Sequence, residues 1–133
     1  MTIYKNMKIK EFQSTAGIKI LVGQDDYSND QLTFKVGRAN DLWFHVSGSP
    51  GSHVILQCAD SIAPPDKESI REAAALAAWF SKMRQGGKVT VKYCLVQNVH
   101  KPKSAKPGTV HISKEMTIKV RPEEPQQSEQ EDK

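Results

Sequence analysis

The segment from Asp41 to Leu56, Asp-Leu-Trp-Phe-His-Val-Ser-Gly-Ser-Pro-Gly-Ser-His-Val-Ile-Leu, leaves few folds open to this chain. Side chains alternate across a strand, so Leu42, Phe44 and Val46 share one face while Trp43 and His45 share the other. The Gly-Ser-Pro-Gly-Ser run that follows is turn chemistry. Pro50 presets φ, and Gly51 is expected to take the positive φ of a type II turn. The β-rich run His53-Val54-Ile55-Leu56 then predicts a returning strand. The product is a hairpin that gathers one indole and two imidazoles beside a glycine-exposed backbone. Trp43, opposite Leu42 and Phe44, is expected to be partly exposed, although a sheet covered on both faces would bury it.

Upstream, Lys8 to Phe12 and Ile18 to Val22 read as a first hairpin turning at Ser14 to Gly17. Gly23 to Asp26 reads as a loop whose two carboxylates are solvated. Ser28 to Lys35 predicts a short helix, with Ser28 at the N-cap, Gln31 completing a capping box and Asp30 favoured by the helix dipole. Leu32 and Val36 would share a face of it, and Lys35 and Arg38 would emerge near the start of the central hairpin. Downstream, Asp66 caps a long helix expected over 67–84, ending at Gly86-Gly87. Leu76, Phe80 and Met83 form its core stripe, Trp79 lies nearly opposite, and the alanines between Ala73 and Ala78 allow close approach to a sheet. Val89 to Val96 is a strand. Thr109 to Ser113 and Met116 to Val120 are expected to pair with each other across Lys114-Glu115. The reading is one α+β domain over residues 1–121, mostly antiparallel strand hairpins with one short and one long helix, then a disordered acidic tail over 122–133.

Charge becomes informative once it is divided. The whole chain of 133 residues carries +4, but residues 122–133 hold five acidic side chains and one basic. Residues 1–121 hold 18 basic and 10 acidic side chains, a net of +8, and residues 82–121 hold ten basic and one acidic. Such a surplus implies a polyanionic partner or a well-solvated basic face. No apolar run reaches the length of a membrane span and no signal-peptide pattern opens the chain, so a cytoplasmic monomer is expected. Cys58 and Cys94 lack metal-ligand spacing and are expected as buried, reduced thiols.

Three kinds of function fit these residues. Two histidines flanking a glycine turn can hold a metal or act as acid and base, which leaves a small metal-dependent enzyme using His45 and His53 as one alternative. Against it stand the missing His-x-Glu and Cys-x-x-Cys patterns and the missing phosphate-cradling glycine loop, so no catalysis, metal or cofactor is expected. A protein-interaction adaptor without RNA contact is another. Nucleic-acid binding uses more of the residues: aromatic and imidazole faces stack on bases, lysines neutralise phosphates, and the Ser52 hydroxyl can donate to a phosphate oxygen. The loop Lys101-Pro102-Lys103-Ser104-Ala105-Lys106-Pro107-Gly108 adds charge on a proline-stiffened frame.

Asp-Leu-Trp-Phe-His followed by Pro-Gly-Ser-His-Val resembles the NFACT-R domain, the RNA-binding module of ribosome-quality-control factors. Asn29 to Lys35, Glu72 to Lys82 and Lys101 to Gly108 match further motifs in the family's order, covering about residues 10–121. The resemblance implies binding to transfer RNA or ribosomal RNA, with the large ribosomal subunit as a further partner. It implies a surface of Asp41, Trp43, His45, Gly51, Ser52 and His53, joined by Lys101, Lys103 and Lys106, with Lys35 and Arg38 nearby. The other domains of full-length factors are missing from these residues, so a stand-alone member is expected.

Overall fold

Alternating apolar residues on six strands build one antiparallel sheet and give it two different covers. The computed structural model describes residues 6–125. The strands β1 (Ile9–Gln13), β2 (Lys19–Gly23), β3 (Leu42–Val46), β4 (Val54–Leu56), β5 (Val89–Leu95) and β8 (Met116–Val120) lie in the order β1-β2-β4-β3-β5-β8. Every neighbouring pair is antiparallel. With the helices α1 (Asp26–Gln31) and α2 (Lys67–Trp79), this is the expected α+β domain.

On one face Ile20, Val22, Leu42, Phe44, Val54 and Leu56 pack against α2, whose Ala73, Ala74, Ala77 and Ala78 are fully buried. Methyl-sized side chains let the helix lie close to the sheet, as the alanine run predicts. Asp66 caps α2 by accepting from the Ser69 amide at 3.0 Å. The helix stops well short of Gly86. Phe80 leaves helical geometry at φ −91°, ψ 45°, and its carbonyl accepts from the Ser52 amide at 2.9 Å. Capture of Phe80 by the β3–β4 loop ends the helix, so Met83 lies outside the core and is exposed.

The second face carries Leu21, Trp43, Ile55 and Cys94, covered by Leu32, Val96 and Val99. Leu32 sits on a π-helical turn, Leu32–Val36, that continues α1 and closes with the Gly37 amide on the Leu32 carbonyl at 2.7 Å. The helix begins earlier than the capping-box pattern suggests. Asp25 is its N-cap, accepting from the Ser28 amide at 2.7 Å, while the buried Ser28 hydroxyl accepts from the Lys8 amide. Ser28 is thereby used to tie α1 to the start of β1.

The last two apolar runs do not pair with each other. β7 (His111–Ile112) pairs with β6 (Val99–His100), and β8 pairs with β5. Val99 and Ile112 pack with the Trp43 cluster while Ile118 and Val120 belong to the helix side, so the two runs serve opposite faces of the sheet. Both cysteines are buried, and burial pushes the Cys94 thiol up to about 11. Glu123 pairs with Arg71 of α2 at 2.8 Å, and residues 126–133 of the expected tail lie outside the described residues. Among the described residues no helix is long and apolar enough to cross a membrane.

Candidate nucleic-acid interface

The parity of β3 fixes the centre of the site. Trp43 and His45 share the face away from α2, with their rings stacked at 5.9 Å between centroids and 17° between planes. His53, just before β4, stands edge-on to both, at 5.2 Å from Trp43 and 5.5 Å from His45. The register sets Lys92 of β5 directly opposite His45, and Thr117 of β8 opposite Lys92. Thr90 and Lys119, paired one row along, share that face. A cleft of about 360 Å³ opens here, with Trp43, His45 and His53 at its centre and Lys92, Ser49 and Thr109 at its sides.

Trp43 is only 2% exposed, which overturns the expectation of partial exposure. The sheet is covered on both faces at this point, and the indole is core. Its Nε1 is buried and finds no hydrogen-bond partner among the described residues. Asp41 is equally buried: its carboxylate accepts from the Arg38 amide and the Ala59 amide, each at 2.9 Å. That carboxylate holds together the chain entering β3 and the chain leaving β4.

His53 is a strut of the scaffold. Its Nδ1 lies 2.9 Å from the Thr33 hydroxyl, and its amide donates to Asn29 Oδ1 at 3.0 Å. Burial is the main cause that drives its pKa down to about 3, and the neighbouring His45 adds to it. Burial also lowers His45, which remains partly accessible. At neutral pH the centre of the cleft is therefore two uncharged imidazoles and an indole, with the positive charge at its edge. Among the described residues no three His, Cys, Asp or Glu side chains converge to hold a metal.

Gly51 does not take the positive φ; Gly48 does, at +74°. Gly51 bridges Ser81, and a Cβ there would stand 2.7 Å from the Ser81 Cβ. The close approach predicted for Gly51 is made by the chain's own backbone. With the Ser52 amide bound to Phe80 and the His53 amide to Asn29, neither amide is available to a phosphate. Ser52 instead borders a second cleft with Lys82 and Arg84.

The lysine-proline loop divides in two. Lys101 Nζ donates to Asp30 Oδ1 at 3.0 Å and to the carbonyls of Lys106 and Thr109, so it fastens the loop to α1. Lys103 and Lys106 are exposed and make no ion pair among the described residues. Lys35 is exposed on the π-helical turn and borders neither cleft. Arg38 pairs with Asp60 at 2.6 Å before β3, at the end of that strand away from the 47–53 loop.

The sequence profile of the family described as "NFACT protein RNA binding domain" matches residues 8–114. The chain belongs to the NFACT-R family. It is similar to the "Rqc2 homolog RqcH" of Bacillus subtilis (strain 168), 38% identical over 89% of this chain and 20% of that protein. The same named protein of Streptococcus suis (strain 05ZYH33) is 41% identical over 92% of this chain and 22% of that protein. The chain thus spans about a fifth of the length of these curated relatives. Among solved structures, the C-terminal part of the fibronectin/fibrinogen-binding protein from Streptococcus suis matches with a TM-score of 0.82 and 40% identity, over 93% of this chain and 49% of that one.

Lys92, Ser49, Thr109 and Lys119 of this NFACT-R domain escaped sequence reasoning. The signal for Lys92 was present, because Val89, Val91 and Tyr93 alternate with Thr90, Lys92 and Cys94. What sequence does not print is the register that puts Lys92 beside His45.

Proposed function

We propose that this NFACT-R domain binds transfer RNA or ribosomal RNA on the large ribosomal subunit, in the quality control of stalled translation. One observation carries the reading. Lys92, Lys103, Lys106 and Lys119 make no ion pair among the described residues, and Lys92 borders a cleft whose centre is uncharged and aromatic. Unpaired lysines suit phosphates, and an aromatic recess beside them suits bases. Family membership and the quality-control names of the relatives support the same reading. The test is anisotropy titration of transfer RNA and of purified large subunits at two salt concentrations. Affinity is expected to fall steeply with salt, because phosphate contacts release counterions. Absence of binding at low salt overturns the proposal.

A protein-binding reading has its own support in the solved relative from Streptococcus suis, whose name gives fibronectin and fibrinogen as what it binds. Running fibronectin beside RNA in the same assay separates the two. Salt-insensitive binding of fibronectin without RNA binding favours the adaptor.

A further inference from the structure

The cleft beside β3 has walls of a kind that a phosphate backbone does not use. It is lined by Trp43, His45 and His53, with Lys92 beside His45. Neither imidazole carries charge at neutral pH, so nothing at the bottom attracts an anion. A volume of about 360 Å³ lies at the low end for small-ligand sites and admits no duplex.

We propose that the cleft between Trp43, His45, Lys92 and Thr109 takes one unpaired nucleobase from a single-stranded or looped RNA, with Lys92 on an adjoining phosphate. This rests on the RNA-binding reading and sharpens it from polyanion to unstacked base. An unpaired base brings an aromatic face and polar ring edges, which suit the partly accessible His45 ring and the Thr109 side chain on the cleft wall. A paired base keeps both inside the helix. Lys103 and Lys106, on the exposed loop that leads to Thr109, are left to hold flanking phosphates.

The probe is a labelled single strand of about ten nucleotides carrying 4-thiouridine, set against a blunt duplex of the same length. The full chain is expected to bind the strand about tenfold more tightly than the duplex. Thr109→Trp, at an exposed position on the cleft wall, plugs the recess and is expected to erase that preference while duplex binding persists. Ser49→Trp plugs it independently from the opposite loop. Photocrosslinks are expected within residues 43–53 or 106–112. Equal binding of strand and duplex, or crosslinks confined to Lys82–Lys88 with both plugged variants unaffected, overturns the base site and leaves RNA binding standing. Failure to bind either nucleic acid removes both readings.

Discussion

The Lys101 ammonium lies 3.0 Å from Asp30 Oδ1, and the same oxygen accepts from the Gly108 amide at 2.9 Å. One carboxylate on α1 therefore holds both ends of the lysine-proline loop, and Lys101 works inside the fold. Lys101→Ala is expected to destabilise the domain by about 1–2 kcal/mol, the scale of a partly exposed charged hydrogen bond. Asp30→Asn should weaken the same link. Chemical denaturation of both variants checks this, and an unchanged Lys101→Ala midpoint would remove the strut role.

Lys103 and Lys106 are predicted to behave in the opposite way. Replacing both with Ala should leave the denaturation midpoint alone and lower the salt slope of RNA binding by about 1.5, the share of two phosphate contacts. The slope is read from titrations across a range of salt. An unaltered slope would show that this loop never meets a phosphate.

Trp43→Ala is predicted to act first on stability. The indole is buried between the sheet and the Val96–Val99 segment, and truncating such a side chain costs about 3–5 kcal/mol. Thermal melts should show a large drop. A variant that melts like the parent and loses only RNA affinity would contradict the burial of this residue.

How much of this was legible in the sequence depends on the range of the interaction involved. The β1–β2 hairpin, the Asp66 cap and the alanine face of α2 follow from patterns a few residues long, and all three are present. The sorting of Leu42, Phe44 and Val46 away from Trp43 and His45 also follows from period two. What the pattern cannot carry is the covering of the second face. Trp43 is buried by Leu32, Val96 and Val99, none of them a strand neighbour in sequence. The Lys101–Asp30 link likewise spans 71 residues. Of the positions assigned to RNA, Asp41, Trp43, Gly51, His53 and Lys101 serve the scaffold while Lys35, Lys103 and Lys106 are accessible charge, a division that tertiary packing makes.

Gly51 offers a sharper test of that packing. A methyl group there would meet the Ser81 Cβ at 2.7 Å and the Val46 Cγ2 at 3.3 Å. Gly51→Ala is expected to cost about 1–3 kcal/mol by forcing the β3–β4 loop off the end of α2. Hydrogen exchange should show the Ser52 amide, bonded to the Phe80 carbonyl, losing protection first. A stable variant with that amide still protected would mean that the loop yields without cost.

The last prediction concerns acid. His53 stays neutral in the fold down to about pH 3, against an ordinary 6.5, because burial penalises the charged ring. The unfolded chain therefore takes up a proton that the folded chain refuses, and stability falls as pH drops below about 6.5. One such group gives a slope of about 1.4 kcal/mol per pH unit, and the lowered pKa of His45 acts in the same direction. The window from pH 6.5 to 5 isolates the effect, because the depressed carboxylates Asp25 and Asp66 begin to protonate only below it. Urea melts across that window should show the midpoint falling with pH, and His53→Gln should flatten the fall although it starts from a lower stability. A midpoint that stays level from pH 6.5 to 5 would mean that His53 protonates within the fold, and the uncharged centre of the cleft would go with it.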